Sequence, residues 1–200
     1  MSKALVISAF PACGKSDAIT CISADAYAST IEVLDSDSGR FSWILDKNGY
    51  NTGVRNTDFP ANYIAHIKKN LDDVDIIFVS SDLIVRQALT DAGIDYITVY
   101  PEENLRDEWI ERLKNQLYTK SFIESISDNW DKLMREINDE PHGLYLYRLN
   151  ADFIVFTLRG MFFDIYYGVN PDKYPMLTNY EPLKNALNKM AVICGWDIFK

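Results

Sequence analysis

Residues 3–16 run KALVISAFPACGKS, an apolar, β-branched stretch that ends in Gly14-Lys15-Ser16 and leads into a helix-compatible segment from Asp17 to Ala24. A loop that leaves a strand and wraps the first turn of a helix aims several backbone N–H groups at one spot, where the helix dipole already favours negative charge. In the pattern GxxxxGK[ST] the lysine reaches the β- and γ-phosphates of a nucleotide and the hydroxyl holds Mg²⁺. Lys15 and Ser16 stand in those positions. Ala12, Cys13, Gly14, Lys15, Ser16 and Asp17 are therefore the residues expected to cradle ATP, with Ser16 as a metal ligand. Two positions depart from the pattern: Ala9 replaces the leading glycine, and Ala12 occupies a second site that is often glycine. Alanine resists positive φ, so Ala9 is expected in an ordinary β or α conformation. Pro11 fixes its own φ and biases Phe10 toward extended geometry. The alternative is a decayed loop that keeps the fold and binds nucleotide weakly.

The rest of the chain bears on which of these holds. Its 200 residues suit one domain with a full core. A net charge of −9 argues against a broad, sequence-independent grip on a polynucleotide, making nucleic acid a disfavoured partner. A small anionic ligand is compatible with that charge, because a nest of N–H groups and a few arginines overcome a distant negative field. The three cysteines, Cys13, Cys21 and Cys194, have no metal-ligand spacing and form no disulfide framework. Cys13 is either a somewhat acidic thiol at a helix N-terminus or a small residue in a crowded turn; the other two are expected in the core. No signal-peptide pattern opens the chain. The most apolar region, Phe153–Val169, is interrupted by Arg159, Gly160 and Asp164, too short and too charged for a membrane span. A soluble, cytoplasmic protein is the expectation.

Strand and helix alternate through the first two-thirds. Strands are expected at Ala4–Ala9, Thr30–Leu34, Asp75–Ser80 and Asp95–Tyr100, the last ended by Pro101. Helices are expected at Lys15–Ala28, Asn62–Leu71, and Asp82–Ala92 with Gly93 as its cap. Two more follow at Leu105–Leu117 and Phe122–Asn138, with Glu108 and Arg112 at one-turn spacing. Short apolar strands alternating with helices imply an α/β fold, a three-layer sandwich with a mostly parallel sheet and helices on both faces. Ligands then sit at the carboxyl ends of the strands. A polar insertion at about 36–73 is expected to overhang the nucleotide site and bind a second substrate. Leu144–Leu149 reads as a fifth strand. Phe153–Tyr167 fits either a strand pair or a buried helix, within an aromatic-rich extension at about 150–200 where Lys184–Cys194 reads as a closing helix.

Phosphoryl transfer needs a phosphate cradle, a divalent ion, positive charge on the migrating group and a base for the acceptor. The second strand runs into Asp35-Ser36-Asp37-Ser38. One of Asp35 and Asp37 binds Mg²⁺ through water or orients an acceptor hydroxyl, or else both merely shape a turn. Ser80-Ser81-Asp82 ends the third strand, where Asp82 is either a helix N-cap or a neighbour of metal-bound water. Arginine pairs bidentately with phosphate, and Arg40, Arg55, Arg86, Arg106 and Arg112 lie on segments bordering one rim. Arg55 and Arg86 are placed for the acceptor, Arg106 and Arg112 for a closing lid. Phe41, Trp43, Phe59 and Tyr63 either stack on a base or form the insertion's own core. His66 and His142 have no partner pattern and read as structural or surface residues.

With AFPACGKS, LDSDSGRFSW, NTDFPANYIAHIK, IIFVSSDLIVRQAL and VYPEENLRDEWIERL in that order, the chain resembles small phage-type P-loop kinases related to adenylate and deoxynucleoside monophosphate kinases. The likeness covers roughly residues 3–135. It implies the P-loop NTPase fold, ATP and Mg²⁺ as cofactors, acceptor contacts from Asp37, Arg40 and Arg55, and lid contacts from Arg106 and Arg112. In a phage-encoded protein the cytoplasm is the host's. The expected activity is transfer of the γ-phosphoryl group to a small nucleotide, first a (deoxy)nucleoside monophosphate. The alternatives are a kinase acting on 5-hydroxymethyluracil in DNA, where Asp37 serves as base, and a non-catalytic nucleotide-binding protein.

Overall fold

The N-terminal apolar run forms strand β1 (Leu5–Ala9), every residue of it buried, and the segment after the loop forms helix α1 (Lys15–Ala24). Three further strands follow the alternation: β2 (Val33–Asp35), β5 (Ile76–Ser80) and β6 (Ile97–Pro101). β7 (Tyr145–Leu149) is the expected fifth. The computed structural model describes residues 4–24, 31–140 and 145–149. Within them the sheet has the order β2-β5-β1-β6-β7, and all four neighbouring pairs are parallel. The expected Phe153–Tyr167 and Lys184–Cys194 elements lie outside the described residues, as do His142, Cys194 and the continuation of α1 toward Ala28.

Successive strand side chains point to opposite faces, and here both faces are apolar. Leu5, Ile7, Ile76, Phe78, Ile97 and Val99 enter one core cluster with Ala18 of α1. Helices α5 (Arg106–Asn115), α6 (Lys120–Asp128) and α7 (Trp130–Asn138) complete that cluster through Trp109, Leu113, Ile126, Trp130, Met134 and Ile137. Val6, Ile77 and Val79 face the other cluster with Tyr63, Ile64 and Ile67 of α3 (Ala61–Asn70) and Val85 and Leu89 of α4 (Leu83–Asp91). The neighbouring strands β1 and β5 thus send their connections to opposite faces, which opens a crevice at their carboxyl ends. The register sets its floor: Ala9 pairs with Ser80, and Asp35 with Phe78.

Two local features differ from the expectation. The helix read over Phe122–Asn138 is two helices, because Asn129 (φ −107°, ψ 12°) leaves helical geometry and its side-chain amide donates to Ser125 O at 2.8 Å. An asparagine side chain that satisfies the backbone locally competes with helix continuation. The polar insertion contains a short helix, α2 (Gly39–Ser42), and an antiparallel hairpin of β3 (Trp43–Leu45) and β4 (Asn51–Arg55). Its turn is held by Asp46, whose Oδ1 accepts from Asn48 N–H and Tyr50 N–H at 2.8 and 2.9 Å, with Gly49 at φ 83°.

Candidate functional site

The loop between β1 and α1 is pinned from several sides. Phe10 N–H donates to Val99 O at 2.9 Å, Cys13 N–H to Phe10 O at 3.2 Å, and the Trp109 indole N–H to Pro11 O at 2.8 Å. Gly14 takes φ 82° and Ala12 takes φ 62°. The left-handed conformation costs a non-glycine residue roughly 1–2 kcal/mol, so Ala12 holds the shape at an expense that Gly14 avoids. Ala9 lies in regular β1, as expected. The first helical bond is Ala18 N–H to Gly14 O at 2.9 Å, and the N–H groups of the turn before it have no intrahelical acceptor. They border a cavity of about 420 Å³ lined by Ala12, Cys13, Gly14, Lys15, Ser16 and Asp17, with Gln116 and Tyr118 opposite.

Cys13 is a packed residue. It is 1% exposed, and burial pushes its thiol up despite the opposing charges of Lys15 and Arg112. That removes the acidic-thiol alternative, because desolvation outweighs the helix position.

Beside this cavity lies a second of similar volume, about 420 Å³, at the crevice between β1 and β5. Its wall includes Lys15, Asp37, Trp43, Arg55, Ser80, Asp82 and Tyr118. The Lys15 ammonium is 3.7 Å from Asp35 Oδ1. Asp37 shapes the turn, its Oδ1 accepting from Gly39 N–H at 2.9 Å, and also lines the cleft. Asp82 precedes α4 without a capping bond from its side chain and lines the cleft instead. Beneath the floor, the buried Tyr63 hydroxyl donates to Ser36 O at 2.5 Å and accepts from Ser80 N–H at 3.4 Å, tying the ends of β2 and β5 together. Burial raises this hydroxyl's pKa to about 12, so it stays a donor.

The expected arginines divide. Arg55 lines the cleft with its guanidinium 3.8 Å from the centre of the Trp43 ring. Arg40 lines an adjoining pocket of about 560 Å³ under the hairpin, which shares Asp37, Gly39 and Trp43 with the cleft. Arg86, expected at the acceptor, is instead 1% exposed behind the loop after β5. It bonds Glu140 Oε2 at 2.5 Å and Ser81 O, while the Tyr96 hydroxyl donates to Glu140 Oε1 at 2.9 Å. A buried guanidinium needs such partners, and these take it away from the cleft. Arg106, expected in a lid, reaches Ser127 O and Oγ at 3.0 and 3.1 Å. Arg112, its expected companion, pairs with Glu108 at 2.7 Å and covers the Trp109 ring at 4.5 Å. Neither lines the two cavities.

The aromatic residues also divide. Phe41, Phe59 and Tyr63 pack on one another, with His66 against Phe41 at 4.7 Å, and form the insertion's core. Trp43 alone of the four lines the cleft. Tyr118, Gln116 and Phe122 belong to the site without any motif to announce them.

Mg²⁺ and ATP fit this donor set. Ser16, exposed on the first turn of α1, and Asp35, beside Lys15, offer one hydroxyl and one carboxylate. Mg²⁺ typically takes one or two carboxylates and completes its shell with phosphates and water. Among the described residues no group of three or more His, Cys, Asp or Glu could hold a metal by itself. Among the same residues no helix is long and apolar enough to cross a membrane. The sequence matches no protein-family model, and comparison with curated proteins finds no significant match.

Proposed function

We propose that the chain is an ATP-dependent phosphotransferase of the P-loop type that moves the γ-phosphoryl group to a small nucleotide acceptor. The observation that carries this reading is the placement of Lys15. It lies on the wall common to a cavity edged by helix N-terminal amides and a cleft bearing Asp37 and Arg55. A pocket for the donor phosphates therefore opens onto a pocket for a second molecule, as in-line transfer requires. Ser16 and Asp35 are the residues that would hold Mg²⁺, which neutralises phosphate charge when bound. Lys15 exchanges Asp35 for phosphate oxygens, and Trp43 offers a face to a base.

A (deoxy)nucleoside monophosphate is the acceptor suggested by the sequence. A second reading, a hydroxyl acceptor such as the hydroxymethyl group of a modified base in DNA, draws support from the charges. Arg86, Arg106 and Arg112 are engaged elsewhere, so a phosphate acceptor would meet Arg55 and Arg40 against Asp35, Asp37 and Asp82. A hydroxyl needs one carboxylate as base, and Asp37 faces the cleft.

The test is ATP consumption with Mg²⁺ against the common nucleoside and deoxynucleoside monophosphates, with hydroxymethyluracil-containing DNA and a no-acceptor control. Lys15→Ala is expected to abolish acceptor-dependent turnover with the thermal transition unchanged. Full activity in that variant would refute the phosphotransferase reading. Turnover with DNA alone would select the hydroxyl acceptor.

A further inference from the structure

The phosphate-loop cavity and the cleft share two lining residues, Lys15 and Tyr118. Lys15 belongs to a motif; Tyr118 belongs to none. Its ring lies parallel to Phe122, centroids 5.1 Å apart and planes inclined by 18°. Its hydroxyl faces the Ala12 backbone, and burial raises its pKa, so it is protonated at neutral pH.

The backbone around Tyr118 is fixed as firmly as its ring. Tyr118 N–H donates to Leu113 O at 3.3 Å and Leu117 N–H to Lys114 O at 3.1 Å, which closes the end of α5. One residue later, Thr119 Oγ1 accepts from Phe122 N–H at 3.3 Å and caps α6. Between these anchors Leu117 adopts φ 59° and is 90% exposed. Its own packing gives no return for that conformation; the turn directs the next residue toward the loop.

Resting on the phosphotransferase reading, we infer that Tyr118 is a further catalytic residue, whose hydroxyl donates a hydrogen bond to the γ-phosphoryl group on the side opposite Lys15. In the reaction the acceptor oxygen forms a bond to the γ-phosphorus as the bond from that phosphorus to the β,γ-bridging oxygen breaks. The electron pair leaves with the diphosphate product, and the acceptor's proton passes to a carboxylate or water. Tyr118 keeps its proton throughout and supplies a neutral donor where the charge is spread over the phosphoryl oxygens.

Tyr118→Phe keeps the ring and its stacking on Phe122 and removes the hydroxyl alone. The experiment compares calorimetric binding of Mg·ADP and of the Mg complex of β,γ-imido ATP, which adds the γ-phosphoryl group, to the wild-type chain and the variant. ADP affinity is expected to stay within about twofold, while the imido analogue weakens about tenfold, the loss of one hydrogen bond to a charged group. An equal loss for both nucleotides would reduce Tyr118 to a support of the loop. No loss for either would remove it from the site, and both results overturn the inference. A wild-type chain that binds neither nucleotide overturns the phosphotransferase reading instead, so the two failures are told apart.

Discussion

Helices α4 and α5 end in the same hydrogen-bonded closure and differ in the residue at its left-handed position. At the end of α4, Gly93 N–H donates to Thr90 O and Ile94 N–H to Leu89 O, both at 3.0 Å, with Gly93 at φ 67°. At the end of α5 the equivalent bonds enclose Leu117 at φ 59°. Glycine is the usual occupant because it has no Cβ to clash. The α4 end lies away from the two cavities and is relaxed; the α5 end borders the cavity of the β1–α1 loop and is strained. Ala12, the other non-glycine residue with positive φ among the described residues, lines the same loop cavity. The arginines do not follow this division: Arg86 of α4 and Arg106 and Arg112 of α5 are all held in contacts within the fold. Among the described residues, both left-handed non-glycine residues lie in or next to the wall of the loop cavity, Ala12 lining it and Leu117 preceding Tyr118, which does.

The largest effect is expected on the relaxed side. Arg86→Ala leaves Glu140 buried without its cation, and breaking such a pair costs about 3–5 kcal/mol, a fall in Tm of roughly 10 °C. A fall below about 2 °C in calorimetry would show that the network is not what holds this side together. Gly93→Leu transplants the α5 arrangement onto α4. Nothing lies within 4 Å of a Cβ there, so the cost is conformational and expected at about 1–2 kcal/mol in urea unfolding. A neutral result would mean that a left-handed leucine carries no strain, and the contrast between the helix ends would disappear. Leu117→Gly should move the other way, stabilising by up to about 1 kcal/mol after the greater freedom of glycine in the unfolded chain is subtracted. It should also weaken β,γ-imido ATP binding by loosening Tyr118. Higher stability with unaltered affinity would separate the strain from the site. The smallest change is expected for Ala12→Gly, within about 0.5 kcal/mol, because relief of φ and added unfolded-state entropy nearly cancel. Destabilisation beyond about 1 kcal/mol would show that the buried Ala12 methyl contributes mainly by packing.

What the sequence revealed follows from which signals are local. Strands β1, β5 and β6 are mostly apolar, β-branched runs, so their existence and parallel pairing were readable, and the pairing placed the loop, the acidic turn and Ser80-Ser81-Asp82 on one edge. Gly93 announced its helix end. The hairpin was legible in Asn48-Gly49, a strong turn signal, yet the polarity of the insertion hid it: every residue of β4 is exposed. The split between α6 and α7 was not legible, because Asn129 breaks the helix through a side-chain bond that composition does not reveal. The arginines were found by type but not by role. Arg86 and Arg55 look alike in sequence, and only tertiary packing gives one Glu140 and the other Trp43. Tyr118 stands just past the expected end of its helix at Leu117 and belongs to no motif, so its place on the cavity walls comes from the turn that follows α5 and not from a local signal.

Trp109 lends the molecule an optical property. Its buried indole donates to the Pro11 carbonyl inside the phosphate loop and lies under the Arg112 guanidinium. Indole emission follows the polarity and charge around the ring, so a rearrangement of the β1–α1 loop would change the fluorescence of Trp109, which lines neither cavity. Trp109 is thus an unlabelled reporter of the loop's conformation, and Trp109→Phe identifies which part of the signal comes from that ring.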